Sequence, residues 1–340
     1  MKFKKCAVVV LGLLMLCLSA CTKADNTSSI ASDIVEVETQ NYSKNPLTGE
    51  ENLDEEFYNT RPVSIMVNNI SLAQGIQCGI EKADIVYETE VEQGVTRLLA
   101  VYQDVSKVEQ IGSIRSARYP YIDLAMGHNA IYCHHGQDPT YAAPHLADTD
   151  NYSIGTNGVG KRIPNGKATE HTLYTFGDKL WSALVNRGKT ENNRVVMWQD
   201  FAPEGEKIAF TNAANKVSVR FSKQSLSEFS FDATSGKYLR SANGVALKDY
   251  KTGNQAYFKN VFVLMTSIND YPDGYHRRVD LSAGNGYYIT NGTYTPIKWS
   301  KGRANAPLVF TNEDGTPLKV SAGNSYVCLA SSSYSQPAFE

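Results

Sequence analysis

Between residues 63 and 103 three runs alternate apolar with polar side chains at a period of two, and only a sheet can bury such runs on one face. The runs are residues 63–67, 84–92 and 95–103, and Gln93-Gly94 between the last two suits a two-residue hairpin turn. In that register Glu90 stands opposite Arg97. Glu88 and Glu92 share its face, while Ile85, Tyr87 and Val91 point the other way. From about Val217 the same texture returns in short segments: 229–231 and 238–240 around Asp232–Gly236, then 257–265, 286–290, 308–311, 318–320 and 326–329, with Glu313-Asp314-Gly315 as a further hairpin turn. No helical period interrupts them. The pattern predicts an α+β chain: an N-terminal mixed α/β domain with a largely antiparallel sheet over 53–205, then an all-β domain of sandwich or roll type over 215–332.

Residues 121–126 carry helical spacing after Tyr119-Pro120, and Pro120 fits the first helical position, where its missing N–H costs nothing. Arg115 and Arg118 then lie in the loop that enters the helix, a place where backbone N–H groups favour anions. They require negative partners. Asp84, Glu88, Glu90 and Asp123 are the internal candidates, and an external phosphate or carboxylate held by Arg97, Arg115 and Arg118 is the functional alternative. A strand over 130–134 ends in His134-His135-Gly136, with Asp138, His145 and His171 downstream. Their spacing matches no metal-ligand pattern, and no nucleophile motif accompanies them, so His134, His135 and His171 are read as a polar pocket without a metal. Residues 151–167, rich in Gly and Asn, read as a surface loop lacking the Gly-Lys-Ser/Thr ending of a phosphate-binding loop. Residues 178–187 form a short amphipathic helix with Leu180, Trp181 and Leu184 inward.

Ahead of all this stands a leader. Lys2, Lys4 and Lys5 precede an apolar run over 7–17, too short to span a bilayer, and Leu18-Ser19-Ala20-Cys21 closes it as a lipoprotein signal peptide closes. Residues 1–20 are expected to be removed and Cys21 acylated, palmitate included. Residues 21–52 read as a flexible tether with a root-mean-square reach of about 30 Å. Lys plus Arg number 33 against 35 for Asp plus Glu, and part of the basic count leaves with the leader, so charge gives no support to nucleic-acid binding. Of six cysteines, Cys78, Cys133 and Cys328 fall in the body, enough for at most one internal disulfide.

Arg61-Pro62, Ala83–Glu88, Glu92-x-Gly94-x-Thr96-Arg97, Gly112–Arg118, His135-Gly136 and His171–Tyr174 together resemble the motif string of the YerB-like lipoproteins of bacteria. Gly286–Ile289, Asn291-Gly292 and Trp299–Lys301 are similar to the motifs of that family's C-terminal half. The resemblance covers about residues 45–330 and implies a two-domain, membrane-anchored extracytoplasmic protein whose domains carry no assigned activity. Where the family favours His-x-Gly-Gly, this chain has His134-His135-Gly136-Gln137. The expectation is a non-catalytic protein of the cell membrane's outer face, bound through its lipid and contacting an envelope glycan, a polyprenyl phosphate or a membrane protein, with no cofactor. The alternative is an enzyme. A strand bearing Asp84 followed by an arginine segment entering a helix is similar in layout to the LytR-CpsA-Psr phosphotransferases, which would imply phosphate on Arg97, Arg115 and Arg118 and Mg²⁺ on Asp84 or Glu88.

Overall fold

After a short pair of strands at Tyr42–Ser43 and Leu53–Asp54, β1 (Val63–Asn68) leads to a hairpin of β2 (Ile85–Glu92) and β3 (Val95–Tyr102); α1 (Tyr119–Gly127), β4 (Ile131–His134) and β5 (Asn151–Ser153) follow, and α2 (Gly177–Asn186) ends the helical part. In this computed structural model the described residues are 42–155, 158–192 and 195–340. The leader and Cys21 lie outside them. After Asn186 the described residues form strands and no helix: β6 (Lys216–Arg220), β7 (Leu226–Asp232), β8 (Lys237–Ala242), β9 (Asn260–Thr266), β10 (Ala283–Thr290), β11 (Thr293–Ser300), β12 (Ser325–Ser331) and β13 (Ala338–Phe339).

The protein is mostly β, and its strands build two main layers. An 11-stranded sheet runs from Asn212–Ala213 through β11, β10, β9, β12, β2, β3, β1 and β4 to β5, with Val309–Thr311 added on β11. A six-stranded sheet carries β8, β7, β6 and β13, with Val245–Ala246 and Tyr257–Phe258 on β8. The large sheet thus takes strands from both halves of the chain, joined where β12 pairs in parallel with β2 and, on its other side, with β9. It is mixed rather than largely antiparallel in its N-terminal part, because β4 pairs in parallel with β1 and with β5.

Alternation along the strands sorts side chains into two cores. Val63, Ile65, Val67, Val86, Leu98, Ala100, Val261, Val263 and Tyr326 pack toward Val217, Val219, Phe229 and Tyr238 of the smaller sheet. Met66, Ile85, Tyr87, Leu99, Phe262, Leu264 and Leu329 pack on the opposite face with Tyr121, Ile122, Leu124 and Ala125 of α1. Every residue of β2 and of β12 is buried, so these strands are central, and the acidic side chains of β2 must find partners inside the protein. Each large apolar side chain taken from water there contributes about 1.5–3 kcal/mol.

Two sequence expectations are corrected. The expected tether over 21–52 includes packed residues, because Tyr42–Ser43 pairs with Leu53–Asp54 and Leu47 is buried. The loop over 151–167 contains β5 and a strand at Gly160–Arg162 that pairs with Leu173–Thr175.

Candidate functional site

The β2–β3 hairpin turns at Gln93-Gly94, with Gly94 at φ +76°, and Glu92 pairs with Val95 as a two-residue turn requires. A bulge between Glu90 and Glu92 then shifts the register by one, so Arg97 lies opposite Thr89 and Glu90 opposite Thr96. The expected Glu90–Arg97 pairing is therefore replaced. Glu92 is carried off the face of Glu88 and Glu90 and onto that of Arg97, where its Oε1 accepts from Arg97 at 3.0 Å and from Arg118 Nε at 2.7 Å, with a further contact from Arg118 NH2. Arg97 also donates to the Ser116 carbonyl at 2.6 Å, and Arg118 to that of Ala117 at 2.8 Å. Burial, and next the Arg118 charge, pull Arg97 down to about 10 while Glu92 opposes both.

The acidic candidates face elsewhere. Glu88 is fully buried and accepts from Asn69 at 2.7 Å, Thr96 at 2.8 Å, Ser227 at 2.7 Å and Tyr326 at 2.6 Å, with the Arg240 guanidinium at 3.5 Å. Arg240, equally buried, lies 5.0 Å over the Tyr326 ring. Glu90 accepts from Gly94 N–H at 2.9 Å, Arg277 at 2.8 Å and Tyr334 at 2.6 Å. Asp84 accepts from Gln103 N–H at 2.6 Å and Asn45 at 2.9 Å, and burial holds its carboxyl up at about 7. Among the described residues none of Asp84, Glu88 and Glu90 forms an ion pair with Arg97, Arg115 or Arg118; Glu92, one bulge away, takes two of the three arginines.

Arg115 reaches outward instead, donating to the Glu170 carbonyl at 3.3 Å with the Glu170 carboxylate at 3.6 Å. His171 bonds Asn68 at 2.8 Å and stands 3.2 Å from the same carboxylate. His134 contacts the Gly136 carbonyl at 2.8 Å and Asn151 at 3.3 Å, and burial lowers the pKa of His135. Arg115 and His171 thus meet at Glu170, while His134 is held between Gly136 and Asn151 of β5. No group of three or more His, Cys, Asp or Glu placed to hold a metal occurs among the described residues. Cys78, Cys133 and Cys328 are buried free thiols.

Two clefts lie away from these clusters. A polar one of about 610 Å³ lies between the start of α1 and the segments 267–282 and 301–304, lined by Tyr119, Asp123, Arg278, Asp280, Lys301 and Arg303 among others. A more apolar one of about 320 Å³ is lined by Leu47, Met126, His128, Met197, Trp198 and Pro307 among others. There His128 meets the Tyr87 hydroxyl at 2.7 Å, and burial drops its pKa to about 3, so the ring is neutral.

Residues 47–190 match the N-terminal domain, and residues 217–327 the C-terminal domain, of DUF3048, described as a protein of unknown function. The chain belongs to the DUF3048 family. A relative from Bacillus subtilis (strain 168) named "Putative lipoprotein YerB" is 29% identical over 267 residues, 76% of this chain and 78% of its own length. The crystal structure of YerB protein from Bacillus subtilis is similar with a TM-score of 0.74 at 25% identity, covering 87% of this chain and 99% of that one.

In this DUF3048 chain the buried cations Arg240 and Lys301 add to the candidates named from the sequence, and the sequence carries a signal for each. Tyr238, Arg240 and Ala242 are the inward positions of β8, and Ile297 and Trp299 are those of β11, with Lys301 next in the same phase. A charged residue in the buried phase of an alternating strand requires a partner, and that requirement is readable without coordinates.

Proposed function

We propose that this chain is a lipoprotein tethered through Cys21 to the outer face of the cell membrane, where it binds an envelope component or a partner protein without chemical turnover and without a cofactor. The leader ending in Leu18-Ser19-Ala20-Cys21 carries this reading, and the lipoprotein name of the YerB relative supports it. No helix among the described residues is long and apolar enough to cross a membrane, so attachment in this reading rests on the acyl group. The interior pairing of Glu88, Glu90 and Glu92 with arginines supports a structural role for these charges. The deciding experiment labels expressing cells with radioactive palmitate and follows the full chain into membrane and soluble fractions. Label on the wild-type chain, lost together with membrane retention in Cys21→Ser, supports anchoring. Retention of the Cys21→Ser chain in the membrane would overturn it. Sedimentation of the full chain with isolated cell walls tests the binding half.

A further inference from the structure

The polar cleft contains a buried cation, Lys301, that forms no ion pair among the described residues. Lys301 is 3% exposed, and its ammonium donates to the carbonyls of Arg303, at 3.3 Å, and of Ala304. An ammonium has three hydrogens, so one remains. Lys301 forms no ion pair within 4 Å among the described residues, although Asp123 is near enough for each charge to shift the other. Burying an ammonium without a carboxylate is costly, and folds keep such a group where something else completes it. At the cleft rim Arg278 and Arg303 are exposed and likewise form no ion pair among the described residues. Arg277, by contrast, is consumed by Glu90 and Asp270.

Three cations that lack ion pairs around one cleft call for an anionic group. Asp123, Asp280 and Asp270, the last paired with Arg277, also line it, and they would repel a compact, multiply charged anion such as free phosphate. These carboxylates are hydroxyl acceptors, and serines and an asparagine on the same walls add donors. The Tyr119 ring, backed by His145 at 4.3 Å, gives the cleft an aromatic wall. A volume of about 610 Å³ lies within the roughly 300–1,000 Å³ of small-ligand sites.

We propose that this cleft binds an acidic saccharide, its carboxylate held by Lys301, Arg278 and Arg303 and its ring hydroxyls by Asp123 and Asp280 beside Tyr119. The proposal deepens the envelope-binding reading and names a ligand class for it. Its test uses the full chain in mild detergent, titrated by calorimetry with trigalacturonic acid, neutral galactotriose and inorganic phosphate. Trigalacturonic acid is expected to bind about tenfold or more tightly than either control, and Arg278→Gln with Arg303→Gln to weaken it about tenfold at an unchanged melting temperature. Equal affinity for galactotriose or phosphate, full affinity in the double variant, or no binding of any probe would each overturn the proposal. Cell-wall sedimentation run in parallel separates the two readings: walls bound equally by wild type and double variant sink the cleft alone, whereas walls not bound by the wild type sink envelope binding itself.

Discussion

Removing the carboxylate of Glu92 leaves Arg97 and Arg118 facing each other in a site where Arg97 is 5% exposed, with no other carboxylate in ion-pair reach among the described residues. Glu92→Gln is therefore expected to lower stability by about 3–5 kcal/mol, the penalty of a buried charge deprived of its partner. Arg115→Ala removes only a contact to the exposed Glu170, and its cost is expected to stay near or below ~1 kcal/mol. Urea unfolding of the two variants checks the contrast, and equal losses would mean that the bulge does not set the pairing. Lys301 sets a pH dependence of definite sign. Burial lowers its folded-state pKa from 10.5 to about 8, so the unfolded chain holds the proton over an interval where the folded chain releases it. Its destabilising contribution is full below about pH 8 and vanishes above about 10.5, so stability rises with pH between those values by an amount on the order of 3 kcal/mol. Buried tyrosines, whose hydroxyls are pushed up, act in the opposite direction, so the quantity to measure is the difference between wild type and Lys301→Met. A difference that stays flat from pH 8 to 10.5 would show that Lys301 titrates normally.

At the level of the element, the β2–β3 hairpin depends on a left-handed residue at its turn. Gly94 at φ +76° meets no backbone crowding, since a β-carbon there would lie 3.4 Å from the Ser222 hydroxyl. The cost of Gly94→Ala is thus conformational, about 1–2 kcal/mol by urea unfolding. No loss at all would mean that the turn can relax to another geometry. This hairpin, the helix entered at Pro120 and the amphipathic helix near residue 180 were legible because a local period or a single proline specifies each. The β10–β11 hairpin was equally legible in principle: Asn291 and Gly292 sit at φ 50° and 76°, the geometry that Asn-Gly favours. The bulge at Val91 was not legible. Alternation continues through it in the sequence, and the contacts made in the shifted register, Glu92 with Arg97 and Arg118 and Glu90 with Arg277 and Tyr334, reach residues distant in the chain. The need of the arginines for an acid is legible in the sequence, but a one-residue slip makes that acid Glu92 rather than Glu88 or Glu90.

Across the whole molecule the decisive pairing is the least local one. β12 lies between β9 and β2, with Ser325 opposite Ile85 and Leu329 opposite Thr89, some 240 residues apart in the chain. No periodicity reveals which strand neighbours which at that separation, so the sequence separated two halves that the sheet joins. The buried Glu88 reinforces the seam, since Asn69 and Thr96 approach it from one half and Ser227, Arg240 and Tyr326 from the other. Neither half can satisfy that carboxylate or the β2 backbone edge alone, and an unpaired central strand exposes a row of N–H and C=O groups with its apolar faces. The chain is therefore expected to unfold in one transition, with calorimetric and van't Hoff enthalpies equal. Truncation after Ala322 should abolish folding of the N-terminal half as well, even though it removes only the last 18 residues. A truncated chain that retains a cooperative melt and native near-ultraviolet dichroism from Tyr87, Tyr121 and Tyr132 would show instead that the first half folds independently of β12.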